Sequence, residues 1–321
     1  MLIKEQCKRI LFGGRNLSQW LAVGIEGEPE QISISLHGLE ATLDVTKNCV
    51  VAALRPLTFG VGLEASLEEL RRAPLSLRFE DSTTKRHLGE VGLMSVNVLT
   101  LANRRLALFK RGDYRNRYFS KLHVAARYLA QSYRIGQQHK KHDPYNLKMA
   151  RPDLESMFLF YTRPRPVVLV TVVYRENSNI FPMDLIGPTD TGYFTLALRS
   201  TSPAVELIKA SRHVALSGVP AAQVAIAYEL GKHHKKQSID WSTLPMEMTK
   251  SPLLGLPVPR FALDVREMCV DHIHTIESHT LFAASMMMEQ RWAGGARLFH
   301  VPGYFADYCE RIGRPLQKAG V

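Results

Sequence analysis

Nine consecutive residues, Arg165-Pro166-Val167-Val168-Leu169-Val170-Thr171-Val172-Val173, are almost all apolar and mostly β-branched. Such side chains lose rotamer freedom in a helix and pack well on a pleated surface. The run is far too short to cross a bilayer, so it reads as one strand buried on both faces. The segments after it keep that character. Tyr193 to Arg199 reads as a strand, Pro203 to Ser211 as a helix with Val205, Leu207 and Ile208 apolar, and Val214 to Val219 as a strand again. After a Pro- and Ser-rich stretch from Ser242 to Pro259, the segments Ala262 to Ile276 and His279 to Met288 are extended. Several strands with one or two short helices suit a small barrel.

The first half is also β-rich. Gln31 to Leu36 alternates polar and apolar, Leu75, Leu77 and Phe79 repeat that period, and Val91 to Leu101 and Leu106 to Phe109 are further extended segments around a turn at Asn103-Arg104-Arg105. Gly60-Val61-Gly62-Leu63-Glu64-Ala65, with Glu80 downstream, imitates a dinucleotide-binding fingerprint. Pro56 in the preceding segment and Glu64 at the would-be phosphate position argue for a β-rich turn instead. The period then changes: Leu122, Ala126, Leu129 and Tyr133 form one stripe of a basic helix over Asn116 to Ile135, with Gly136 as its stop. Gln137 to Pro144 reads as a linker, and Pro152-Asp153 opens a short helix carrying Leu154, Met157, Phe158 and Tyr161.

With 321 residues, two domains are expected, a β-rich one over 1–150 and a second over 151–321. The net charge is +11, and from Arg104 to Arg151 thirteen Lys and Arg face only Asp113 and Asp143. The basic helix thus offers a surface to an anionic partner, with Tyr114, Tyr118, Tyr128 and Tyr133 as companions; no motif for sequence-specific nucleic-acid reading accompanies it. Cys7, Cys49, Cys269 and Cys309 have neither zinc-ribbon nor disulfide-framework spacing, and no long apolar segment precedes the first strands, so a cytoplasmic protein is expected.

Four motifs occur in order in the second half: Arg165-Pro166-Val167-Val168-Leu169-Val170-Thr171, Asn179-Ile180-Phe181-Pro182-Met183, Leu198-Arg199-Ser200-Thr201-Ser202-Pro203, and Glu277-Ser278-His279-Thr280-Leu281-Phe282. Their order and spacing resemble the flavin-reductase-like family, with its R-P-V-x-x-V-T first strand, N-x-x-P turn, phosphate-side segment and G-D-H-T-x-F end. Glu277-Ser278 departs from the family's Gly-Asp, and Ala283-Ala284 from its Val-Gly. The resemblance implies a mainly β chain whose C-terminal FMN-binding split β-barrel follows a β-rich domain ending in the basic helix. It also implies a homodimer with FMN near the interface and hydride arriving from NADH or NADPH. All four motifs lie within residues 156–321, so that span is expected to bind FMN by itself.

The residues suit those roles. A flavin phosphate needs fixed amides, hydroxyls and a guanidinium, and Arg199, Ser200, Thr201 and Ser202 ahead of a helix at Pro203 supply them. Without the resemblance they read as a helix cap with Arg199 in solvent. Asn179, Pro182 and Met183 are expected to border the flavin ring from a proline turn, the alternative being an ordinary loop. His279 is the catalytic candidate, an imidazole able to hydrogen-bond a reduced ring or orient a carboxamide, against an equal reading as a structural histidine. No metal site is expected: Cys269, His272 and His274 lack a fourth ligand and a common face, and His233-His234-Lys235-Lys236 reads as a solvated loop. The function expected is an FMN-dependent oxidoreductase of the flavin-reductase class. Its alternative is a non-catalytic interaction protein with a diverged flavin-binding barrel and a basic first half on an anionic partner.

Overall fold

Alternation along two short segments sets the first half. The computed structural model describes residues 20–27, 29, 31–101, 104–122, 124, 125, 128, 129, 149–189 and 193–320. Ile32, Ile34 and Leu36 are buried while Ser33, Ser35 and His37 stay partly exposed, and Leu77 and Phe79 repeat the pattern on the strand paired with them. This is the pattern of a sheet with one covered face. The elements here are β1 (Trp20–Ile25), β2 (Ile32–His37), β3 (Leu43–Asp44), β4 (Cys49–Leu54), β5 (Leu57–Gly62), α1 (Leu67–Arg72), β6 (Ser76–Asp81), β7 (Arg86–Leu101) and β8 (Arg104–Asn116). Among the described residues β2 to β8 form a seven-stranded antiparallel sheet of order β3-β2-β6-β7-β8-β5-β4.

Three local readings change. Gly60 and Gly62 lie inside the buried strand β5 rather than in a turn, so the fingerprint-like glycines are sheet residues. The short helix that follows, α1, is opened by a capping box of Ser66 and Glu69. Arg104 and Arg105 begin β8 and pair with Leu101 and Thr100, one step beyond the expected turn. Of the basic helix, positions 121, 122, 124, 125, 128 and 129 are helical; the remaining positions from 123 on, including Ala126, Tyr133 and the linker up to Pro144, lie outside the described residues. Its buried positions are not the expected stripe. Val124 and the preceding Tyr118 are buried, whereas Leu122 and Leu129 are 81% and 68% exposed.

The second half contains α2 (Arg151–Phe160), β9 (Arg165–Pro166), β10 (Val168–Tyr174), β11 (Asn177–Met183), β12 (Ile186–Pro188), β13 (Tyr193–Arg199), α3 (Pro203–Ser211), β14 (His213–Gly218), α4 (Val224–Leu230), β15 (Met248–Lys250), β16 (Pro257–Pro259), β17 (Asp264–Ile276), β18 (His279–Arg291), β19 (Arg297–Pro302) and α5 (Gly303–Arg311). A second seven-stranded antiparallel sheet runs β11-β10-β14-β17-β18-β13-β12. Phe181 and Met183 from one edge strand share a core with Ile186 from the other, under Val205 and Ile208 of α3. Both edges thus close over a common interior, the arrangement of a split barrel. The apolar run expected as one strand divides at Val167: Arg165-Pro166 pairs with β19, and Val168 onward pairs with β11 and β14. Pro166 has no N–H to donate, which suits a strand end.

The halves are joined through their cores. β1 pairs with β19, Trp20 opposite Pro302 and Ile25 opposite Arg297. Phe158 and Phe160 of α2, with Phe299, Tyr304, Phe305 and Tyr308, fill the core of the first sheet. The two sheets also meet directly, Ala52, Ala53, Leu106 and Leu108 against Ala197, Leu281 and Ala283. A Cβ on Gly187 of β12 would come within 2.7 Å of Val50 Cγ1 on β4, so the strands approach here because glycine stands at 187. Among the described residues no helix is long and apolar enough to cross a membrane.

Candidate functional site

Neighbouring strands bring the two chemically most distinctive predicted residues together. Arg199 on β13 stands directly opposite His279 on β18, and opposed residues in an antiparallel pair share a face. Both line a cleft of about 440 Å³ with Pro182, Met183, Thr201 and Ser202, a volume within the usual range for small-molecule sites. Six of the eight predicted site residues therefore converge. Asn179 and Ser200 lie outside the lining. The Asn179 side chain is fully buried and donates to the backbone oxygens of His233 (3.0 Å) and Lys236 (2.8 Å). Ser200 Oγ lies 3.2 Å from Thr280 Oγ1.

The segment from Asn179 to Met183 is a strand, not a turn, and Pro182 is accommodated because β11 is an edge. The histidines expected in a solvated loop cover that edge. His233 is buried with Nδ1 2.9 Å from the Ile180 oxygen, and His234 Nε2 lies 2.8 Å from the Pro182 oxygen, its ring centroid 4.8 Å from that of Phe181. Each of these nitrogens must carry a proton to donate to a carbonyl. His234 and Lys235 consequently join the cleft wall.

At α3, Ser202 occupies the N-cap position, yet its hydroxyl donates to the His234 oxygen at 3.1 Å instead of capping the helix. The helix begins at Pro203 without a side-chain cap, next to Arg199, Thr201 and Lys235 on the cleft. A helix N-terminus, a guanidinium, an ammonium and a hydroxyl make an anion-binding end. Trp20, Leu54, Met157, Tyr161 and Met183 make the rest of the wall largely apolar. Asp184, also on the wall, bonds His300 Nδ1 at 2.8 Å. Burial pushes its carboxyl upward, but the bond and charge of His300, a backbone N–H and the Arg165 charge together outweigh this and hold it below the ordinary value.

Trp20, Leu54, Met157 and Tyr161 come from outside the four motifs. No local pattern marks them as lining residues, since they reach the cleft only after the two halves pack. His234 and Lys235 were visible as a charged cluster; what the sequence did not show was the free edge of β11 that draws the histidines inward.

Burial, reinforced by the Arg199 charge, pushes His279 down to about 4. An unfolded histidine takes its proton near pH 6.5, while the folded one resists until about pH 4. Its contribution is therefore flat above pH 6.5, and stability falls as pH drops from 6.5 toward 4, by about 1.4 kcal/mol per pH unit and about 3 kcal/mol in all. Thermal melts from pH 7 to 4 should show this slope, and His279→Gln should reduce it. An identical slope in the variant would show that His279 is not a main source.

The curled antiparallel barrel thus carries a cleft lined by Arg199, Lys235 and the start of α3 together with Trp20, Leu54, Met157, Tyr161 and Met183. Residues 160–288 match the family model of the flavin reductase like domain, so the second half of this chain carries a domain of that family. Solved structures similar to the chain include an FMN-binding protein from Thermus thermophilus with bound p-hydroxybenzaldehyde (20% identity, covering 44% of this chain and 83% of that one, TM-score 0.39). An NADH:FAD oxidoreductase from Streptomyces globisporus is 18% identical, over 50% of this chain and 95% of that one, with TM-score 0.42. The styrene monooxygenase flavin reductase from Pseudomonas putida is 17% identical, over 44% and 90%, with TM-score 0.37. No curated protein matches the chain.

Proposed function

We propose that this protein binds FMN in the cleft and works as an oxidoreductase of the flavin reductase class, with NADH or NADPH as hydride donor. The observation that carries the reading is the convergence of Arg199, Thr201 and the uncapped start of α3 on one cleft that Trp20, Leu54, Met157, Tyr161 and Met183 also line. That donor set fits a phosphate, and the apolar wall fits a fused ring. Homodimeric assembly and a cytoplasmic location belong to the same reading, as does an anionic partner for the basic segment after β8.

Arg199 and Thr201 would hold the phosphate, with Lys235 adding charge. Met183, Leu54 and Tyr161 exclude water from the ring's surroundings, and His279, neutral above pH 5 or so by its lowered pKa, offers a donor that does not compete with Arg199 for the anion. Bound FMN would supply a two-electron acceptor for hydride. The chain's task is to hold donor and acceptor at contact distance, which requires no nucleophile.

Full-length protein reconstituted with FMN should retain a yellow chromophore through desalting and bleach anaerobically on addition of NADH or NADPH. Retention of flavin with no bleaching by either nucleotide favours a non-catalytic flavin-binding protein. Failure to retain or titrate FMN refutes the cofactor assignment.

A further inference from the structure

The cleft wall is shared between the two halves of the chain. Trp20 at the start of β1 and Leu54 at the end of β4 line it beside Met183, Arg199 and His279. Trp20 is fixed by β-pairing with Pro302 and by ring contacts at 4.6 Å to Tyr161 and 5.6 Å to Phe158. The hairpin that carries His279 is fastened at its tip to the turn between β4 and β5. Arg55 N–H donates to Ser278 Oγ at 3.1 Å, and Ser278 N–H donates to the Arg55 oxygen at 3.3 Å. Lys110 Nζ lies 3.3 Å from Glu277 Oε1; that pair is exposed and contributes little.

The same contacts reach the imidazole. Leu54 N–H points to His279 Nδ1 at 3.5 Å, and Ser278 Oγ lies 2.8 Å from that nitrogen. A backbone N–H can only donate, so Nδ1 is the acceptor. With Nδ1 an acceptor, the Ser278 O–H donates to it while Ser278 Oγ accepts from Arg55 N–H. A neutral imidazole whose Nδ1 accepts carries its one proton on Nε2.

We propose that the first half of the chain is a working wall of the flavin cleft: Trp20 and Leu54 contact the bound flavin, and the Leu54 amide directly, with the Arg55 amide through Ser278, holds His279 with its proton on Nε2. This rests on the reading of the cleft as an FMN site. A single chain then contains both walls, and flavin affinity does not depend on self-association. Trp20 supplies a broad, rigid aromatic face suited to a fused ring system. Ser278 is a positioning residue, acting through His279.

The test uses full-length protein titrated with FMN and labelled with ¹⁵N at histidine. Wild type should bind FMN with the same Kd across a protein concentration series, Trp20→Ala should weaken it about tenfold or more, and Trp20→Phe should lose less than Trp20→Ala. Leu54→Ala retains the backbone amide and should weaken binding several-fold, carrying the affinity test if Trp20→Ala does not fold. The ¹⁵N spectrum of wild type should show His279 with a protonated Nε2 and a bare Nδ1, and Ser278→Ala should shift it toward a mixture of tautomers, an effect a purely structural serine would not have. Wild-type binding with unchanged affinity in both wall variants overturns the wall. A proton on Nδ1 in the wild type overturns the positioning. Wild type that takes up no FMN overturns the functional reading and the wall with it.

Discussion

Arg199→Ala should weaken FMN binding about ten- to a hundredfold, the equivalent of losing one charge-assisted phosphate contact worth about 1.5–3 kcal/mol. Riboflavin, which has the ring and no phosphate, should bind both forms equally. The contrast is decisive because Arg199 has a second role: it stands opposite His279 and helps hold that imidazole neutral. If the guanidinium acted only through His279 or through packing, both ligands would lose affinity together. Parallel titrations separate the two cases, and unchanged FMN affinity in a folded variant removes Arg199 from the phosphate site.

A fragment beginning at residue 156 should not fold into a flavin-binding unit, although every family motif lies within it. Phe158 and Phe160 on α2, and Tyr304, Phe305 and Tyr308 on α5, are buried in the core of the first sheet. Removing β1 to β8 bares this aromatic surface, leaves β19 with only β9 as a partner, and takes Trp20 and Leu54 from the cleft. Large contiguous apolar patches of this kind drive association. The fragment is expected to aggregate or to bind a hydrophobic dye strongly, with no measurable FMN uptake, while the full chain does neither. A monodisperse fragment with the FMN affinity of the whole protein would show that the second sheet folds independently of the first.

Sequence patterns revealed most of the sheets because the evidence for them is local. Alternation at Ile32, Ile34 and Leu36 requires one buried face wherever the strand sits, and Pro203 opens α3 because its fixed φ suits a first helical turn. The ordered motifs located Arg199, Thr201, Ser202 and His279 for the same reason: each lies at the end of a recognisable element. Asn179 lies off the cleft lining, its side-chain amide donating to the His233 and Lys236 oxygens. Leu54 is 225 residues from the histidine it contacts, and nothing in its own neighbourhood encodes that partner. Leu122 and Leu129 show the opposite failure, since a helical stripe says which residues share a face and not whether anything covers it.

Glu277 sits at φ +44°, a left-handed backbone conformation, at the tip of the hairpin that carries His279. The family usually has glycine here, the residue that adopts this conformation at least cost.

The pairing of β1 with β19 has a consequence for biosynthesis. The first sheet's strands, complete at Asn116, leave the ribosome long before Phe299 to Tyr308, the side chains that close their interior. At ordinary elongation rates of roughly 5–20 residues per second, the nascent sheet spends on the order of ten seconds or more with its core open. A ribosome stalled before residue 299 therefore leaves the first sheet without the aromatic side chains that complete its core.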